Sequence, residues 1–151
     1  MLDRLLGLLG GGASAAREAP SEELSVALLL LELARADFDY AEVEQARIRE
    51  LLAQRYGLDP AQVQALVDQA QGAGREAVSL YDYVRTLNER FDPAGKYQLM
   101  EMLWQVAWAD GRLDPNEEHL LRKLAGLLYV SDADYIRAKL AVMEERGLGK
   151  A

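Results

Sequence analysis

The run Asp110-Gly111-Arg112-Leu113-Asp114-Pro115-Asn116-Glu117 sets three carboxylates and an asparagine amide in one short connection. Such a run offers only oxygen donors, the preference of hard cations such as calcium and magnesium. Its spacing is not that of an EF-hand, whose acidic positions are more frequent and whose glycine falls elsewhere. A related run lies upstream: Asp37 and Glu44 stand 73 residues before Asp110 and Glu117, with Asp39 and Glu42 between them. One junction alone supplies few ligands. Two junctions facing each other would pool Asp37, Glu44, Asp110, Asp114 and Glu117, and repulsion among these carboxylates would itself favour a cation. These five residues are the candidate metal ligands, and the expected cofactor is a divalent cation, calcium or magnesium.

Helix initiation competes with that chemistry for the same residues. Asp114 is a good helix cap, Pro115 suits the first helical position, and Glu117 stands where a capping-box carboxylate belongs. Gly111 suits a left-handed turn at a helix end. In the upstream copy Gly111 becomes Phe38 and Asp114 becomes Ala41, so Asp37 and Glu44 persist without the capping apparatus. Capping explains Asp110 least.

Other reaction centres find little to work with. His119 is the only histidine and there is no cysteine, so neither the usual zinc sites nor disulfides nor a Cys nucleophile can be built. The predicted place of His119 is a solvated position on a helix. Gly10-Gly11-Gly12 lacks the Lys and Ser/Thr of a phosphate loop, and no nucleophile elbow is present. Diiron bundles need Glu-x-x-His pairs on facing helices, which one histidine cannot supply. Paired carboxylates can also hydrolyse glycosides, and a carboxylate-based hydrolase is the one enzyme reading left.

The elements that position the two acidic runs read as helices throughout. Ser21 caps a Leu-rich helix to about Ala36, with Glu22 and Glu23 at its positive end. A second, from about Tyr40 to Tyr56, turns Val43, Ile48, Leu51, Leu52 and Tyr56 inward and stops at Gly57. Asp59-Pro60-Ala61-Gln62 opens a third along Val63, Leu66, Val67 and Ala70, predicted to break at Gly72 and Gly74. Ser79 opens a short fourth helix ending near Phe91, and Asp92-Pro93 a fifth carrying Met100, Leu103, Trp104, Ala107 and Trp108. Asp114-Pro115 starts a sixth through Leu121, Leu124 and Leu128. Ser131 opens a seventh, expected to turn Tyr135, Ile136, Leu140 and Met143 inward. Both tryptophans and the tyrosines at 81, 83, 97, 129 and 135 are expected to be mostly core, with Tyr81 and Tyr83 able to border a partner groove. No segment alternates with period two.

The upstream and downstream runs belong to a longer repeat. At the same offset Leu30 matches Leu103, Ala34 matches Ala107, Ile48 matches Leu121, Leu51 matches Leu124, Tyr56 matches Tyr129, Val63 matches Ile136 and Ala65 matches Ala138. Internal repeats dictate architecture. The predicted fold is all-α: a compact bundle of about seven helices built as two related halves. The predicted division is a flexible apolar, Gly-rich segment over 1–20, a helical domain over 21–146, and a tail over 147–151.

Composition narrows the partners. With 151 residues, a formal charge of -8 and a pI near 4.7, the chain lacks the basic surface that nucleic acid requires. It suits cations, basic partner surfaces or simple solubility. No run reaches the roughly 20 apolar residues of a membrane span. The start, Met1-Leu2-Asp3-Arg4-Leu5-Leu6-Gly7-Leu8-Leu9, is too short and Gly-interrupted for a signal peptide; it reads first as a mobile tail that docks loosely on the core, and as an amphipathic end it also suits contact with a membrane or a partner helix.

The string Ala109-Asp110-Gly111-x-Leu113-Asp114-x-x-Glu117, followed four residues later by Leu121, resembles the signature of the tellurite-resistance TerB family. A similar domain stands at the front of DnaJ-like membrane co-chaperones. The resemblance covers about Glu22 to Glu145 and departs from the pattern at Phe38, where a glycine is expected. It implies an all-helical fold of duplicated halves, and clustered acidic residues proposed to bind metal, which fall here on Asp37, Glu44, Asp110 and Glu117. It further implies work as a protein-interaction module in stress-response assemblies near the inner membrane. The resulting expectation is a cytoplasmic, non-catalytic module, peripheral to the membrane if anchored, with protein partners that include membrane-associated ones. The alternative is a purely structural adaptor whose acidic residues only cap helices.

Overall fold

Helix-starting and helix-ending residues act where local chemistry places them. In a computed structural model that describes residues 19–36, 42–76 and 80–147, the described residues form α1 (Glu22–Arg35), α2 (Glu42–Tyr56), α3 (Pro60–Glu76), α4 (Tyr81–Arg90), α5 (Pro93–Ala107), α6 (Pro115–Leu127) and α7 (Asp132–Glu145). Ser21 accepts the Leu24 amide at 3.1 Å and Ser131 accepts that of Asp134 at 3.1 Å. Asp59 and Gln62 satisfy each other's backbone amides at 2.8 and 2.9 Å, a complete capping box. Gly57 ends α2 at φ 62, where a side chain would be strained. The amphipathic start, Ser79 and the tail after Gly147 lie outside the described residues.

Helix α1 is apolar on every side, and such a helix must be central. Val26, Ala27, Leu28, Leu29, Leu30, Leu33 and Ala34 have no exposed surface. Around α1 lie α2 to α6, with α3 the most extensive neighbour. Its counterpart α5 is the first helix of the second half, and there too the longest contact is with the third helix, α7. Trp104 of α5 is fully buried, donates its indole N–H to the Tyr135 carbonyl at 3.2 Å, and packs on the Tyr135 ring at a 5.0 Å centroid separation. The halves are interlocked. Helix α2 of the first half packs on α5, and α6 of the second packs on α1.

Four sequence expectations are corrected. Helix α3 runs through Gly72 and Gly74 to Glu76. At Gly74 a Cβ would stand 3.0 Å from Glu32 Oε1 and 3.2 Å from Leu28 Cδ1, so this glycine allows α3 close to α1 instead of ending the helix. In α2 Val43 faces outward and Glu44 is fully buried, because Glu44 shares the face of Ile48 and Leu51. In α7 Ile136 and Leu140 are 40% and 56% exposed, while Tyr135, Ala138 and Val142 face the core. Of the aromatics, Tyr81 and Tyr129 are exposed.

The repeat also changes register. Offset 73 holds for Glu44 and Glu117, Ile48 and Leu121, and Leu51 and Leu124, all buried. The left-handed residue that follows α6 then comes one position earlier than the one that follows α2. The left-handed residue is Gly57 in one half and Tyr129 in the other, followed by matching bonds from Leu58 to the Ala53 carbonyl and from Val130 to that of Ala125, each at 3.1 and 2.9 Å respectively. Beyond that point the buried partners Val63 and Tyr135, and Ala70 and Val142, stand 72 residues apart. The pairings of Tyr56 with Tyr129, Val63 with Ile136 and Ala65 with Ala138 are therefore shifted by one.

Candidate functional site

The second acidic junction is a turn tied down by backbone bonds. Trp108, Ala109 and Gly111 amides donate to the Trp104, Val106 and Trp108 carbonyls at 2.9, 3.2 and 2.9 Å. Gly111 then takes φ 83, the left-handed conformation that its position in the sequence anticipates. Asp110 Oδ1 accepts the Arg112 amide at 3.0 Å, and Asp114 Oδ1 accepts the Asn116 amide at 2.7 Å. Both aspartates are half-buried. One oxygen of each is thus committed to shaping the loop. Leu113 packs against the core between them.

Glu44 and Glu117 occupy the same place in their helices. Each is the third residue, of α2 and of α6, and each has no exposed surface. The positive end of a helix dipole favours a carboxylate there. Burial of a charge is costly unless its surroundings compensate. Its occurrence at both equivalent positions marks a feature of the module, present after the Asp114 cap in one half and where the sequence has Ala41 at that position in the other.

Polar bridges set the relation between the halves. Arg47 of α2 donates to Gln105 Oε1 of α5 at 2.6 Å, and Arg55 donates to Gln98 Oε1 at 3.0 Å. As the number rises along α2 it falls along α5, so these helices run antiparallel. The first turn of α2, with Glu44, therefore stands at the same end of the bundle as the last turn of α5, which leads into Asp110. Arg47 also pairs with Glu50 at 2.8 Å, placing a cation beside this end. From the far terminus, Arg146 donates to the Ala109 carbonyl at 3.1 Å and fastens the end of α7 to the junction. Neither Arg47 nor Arg146 was legible as part of the site: both contacts join residues distant in the chain.

Of the five candidate ligands, Asp37 lies outside the described residues, as does Asp39. Asp110, Asp114 and Glu117 share one junction, and Glu44 is at the same end of the bundle. Glu42 is exposed. The donors are oxygen atoms only, which fits a hard divalent cation. Among the described residues no three His, Cys, Asp or Glu side chains are grouped so as to hold a metal ion. The four described candidates, Glu44, Asp110, Asp114 and Glu117, thus do not by themselves form a ligand set. His119 is exposed on α6, as expected.

Two related helical halves, each with a buried glutamate in its second helix and the second with an Ala-Asp-Gly turn ahead of that helix, define a class of duplicated helical modules. A family model described as tellurite resistance protein TerB matches residues 23–140, and the chain belongs to the TerB family. No curated protein and no solved structure matches the chain. No helix among the described residues is long and apolar enough to cross a membrane.

Proposed function

We propose that this TerB-family chain works without catalysis, as a protein-interaction module of a tellurite-resistance-type stress response in the cytoplasm, including at the inner membrane surface. Its acidic end receives a protein partner and takes up a divalent cation, calcium or magnesium, through Asp37, Glu44, Asp110, Asp114 and Glu117. The antiparallel pairing of α2 with α5 carries this reading, because it sets Glu44 and the Asp110 junction at one end of the bundle. In that arrangement Gly111 and Asp114 shape the loop, and Arg146 holds its backbone. The cation would supply the charge that lets several carboxylates share one end.

A second reading is favoured by the hydrogen bonds themselves. Asp110 and Asp114 each give an oxygen to a backbone amide, as a purely structural turn and cap would. Calorimetric titration with calcium, magnesium, manganese and zinc separates the two. The cation reading requires saturable heat in the parent that is lost in an Asp37→Asn/Asp110→Asn variant. Equal, weak heat in both leaves the structural adaptor.

A further inference from the structure

We infer that a second copy of this chain pairs with it through the outer face of α7, antiparallel, in a reversible homodimer. This surface is separate from the acidic end and does not depend on the function proposed for it. Ala133, Ile136, Leu140 and Met143 recur at spacings of 3, 4 and 3, the seam pattern of helices that pair with helices. Ile136 and Leu140 are 40% and 56% exposed, although the inward face of α7 is already filled by Tyr135, Ala138 and Val142.

The other half of the molecule shows that the fold does not need apolar residues there. In the register fixed by the caps, the α3 equivalents of Ile136, Leu140 and Met143 are Gln64, Asp68 and Gln71. Gln64 donates to Asp68 Oδ1 at 2.8 Å, so the same outer face of the twin helix is a hydrogen-bonded polar surface. One position, held by one architecture, is polar in the first half and apolar in the second.

Charge identifies the occupant. Arg137 and Glu144 flank the seam on one side, two turns apart. Arg137 is held over the Tyr97 ring at 4.1 Å and paired with Asp134 at 3.1 Å, yet its side chain is 65% exposed. When two α7 helices lie antiparallel about a twofold axis near Leu140, Leu140 meets its own copy and Ile136 meets Met143. The same axis places Arg137 of each chain against Glu144 of the other. This is an isologous, self-complementary surface. Three large apolar side chains from each copy, of which Met143 is half-buried, make a small interface, in the range of weak and transient contacts.

Sedimentation velocity from about 10 μM to about 1 mM tests the pairing. The parent is expected to shift reversibly toward dimer as concentration rises. Ile136→Gln/Leu140→Asp, which copies the polar face of α3, is expected to remain monomeric with unchanged helical circular dichroism. Arg137→Glu should weaken association by at least about tenfold, and adding Glu144→Arg should restore it. A parent that stays monomeric, a polar-face variant that still dimerises, or a double charge exchange that fails to rescue the single one overturns the inference.

Discussion

Gly57 and Tyr129 occupy the same backbone position, the left-handed residue that ends the second helix of each half, at φ 62 and φ 58. Glycine takes that conformation without steric cost, whereas a tyrosine does not. The Tyr129 ring offers little in return through burial, being 80% exposed, with Lys96 Nζ 5.4 Å from its centroid. Tyr129→Gly is expected to stabilise the protein by about 1 kcal/mol, and Gly57→Ala to destabilise it by a similar amount. Urea unfolding with constant slope checks both, and a Tyr129→Gly variant less stable than the parent contradicts the strain argument.

Two glycines one turn from the end of α3 should answer differently to the same change. A Cβ at Gly72 meets nothing within 4 Å, so Gly72→Ala should gain the helix-propensity difference of about 1 kcal/mol. At Gly74 the new methyl has to displace Glu32 and Leu28, and Gly74→Ala should recover less of that gain. The difference in melting temperature between the variants measures the closeness of α3 to α1.

Burial, and then the negative charge of Glu145, push the Glu101 carboxyl above its ordinary value of 4.5, against the opposing pull of Arg137. A carboxyl whose folded pKa is raised holds its proton more tightly in the folded state. Its contribution to stability therefore falls as pH rises from the unfolded pKa through the folded one, and the cost persists above. Glu101→Gln should raise the melting temperature at neutral pH, with the gain vanishing below about pH 4. A gain independent of pH would place its cause elsewhere.

Arg146 is the only described side chain whose hydrogen bond reaches from the end of α7 to the Ala109 carbonyl. Removing it in Arg146→Ala should speed amide hydrogen exchange at Gly111 and Arg112 by about tenfold, equivalent to about 1.4 kcal/mol of local opening. Amides in the middle of α5 should be unaffected. Uniform acceleration throughout the chain would instead mean a loss of global stability.

Helix ends were legible because their chemistry is local. Ser21, Asp59, Asp92, Asp114 and Ser131 all cap the helices that follow them, and Gly57 and Gly111 take the left-handed turns their positions suggest. Facing was harder. Helix α7 carries two apolar stripes, one with Tyr135, Ala138 and Val142 and one with Ile136, Leu140 and Met143, and only packing against α5 selects the first. The same ambiguity put Val43 inside and overlooked the burial of Glu44. Glycines in α3 looked like breaks because helix propensity says nothing about a neighbour as close as α1. Of the candidate site, the residue types were visible, while the common location of Glu44 and Asp110 required the pairing of Arg47 with Gln105 and Arg55 with Gln98.

The exchange of second helices between the halves limits how this molecule can be divided. A chain severed between Arg90 and Asp92 would yield one fragment lacking the cover that α6 gives α1 and another lacking the cover that α2 gives α5. Each piece would expose leucines that the intact protein hides, so the two would be insoluble or poorly ordered apart and would regain structure on mixing. The duplicated parts are thus complementary templates for one another, and a split reporter built at that cut would read their reunion.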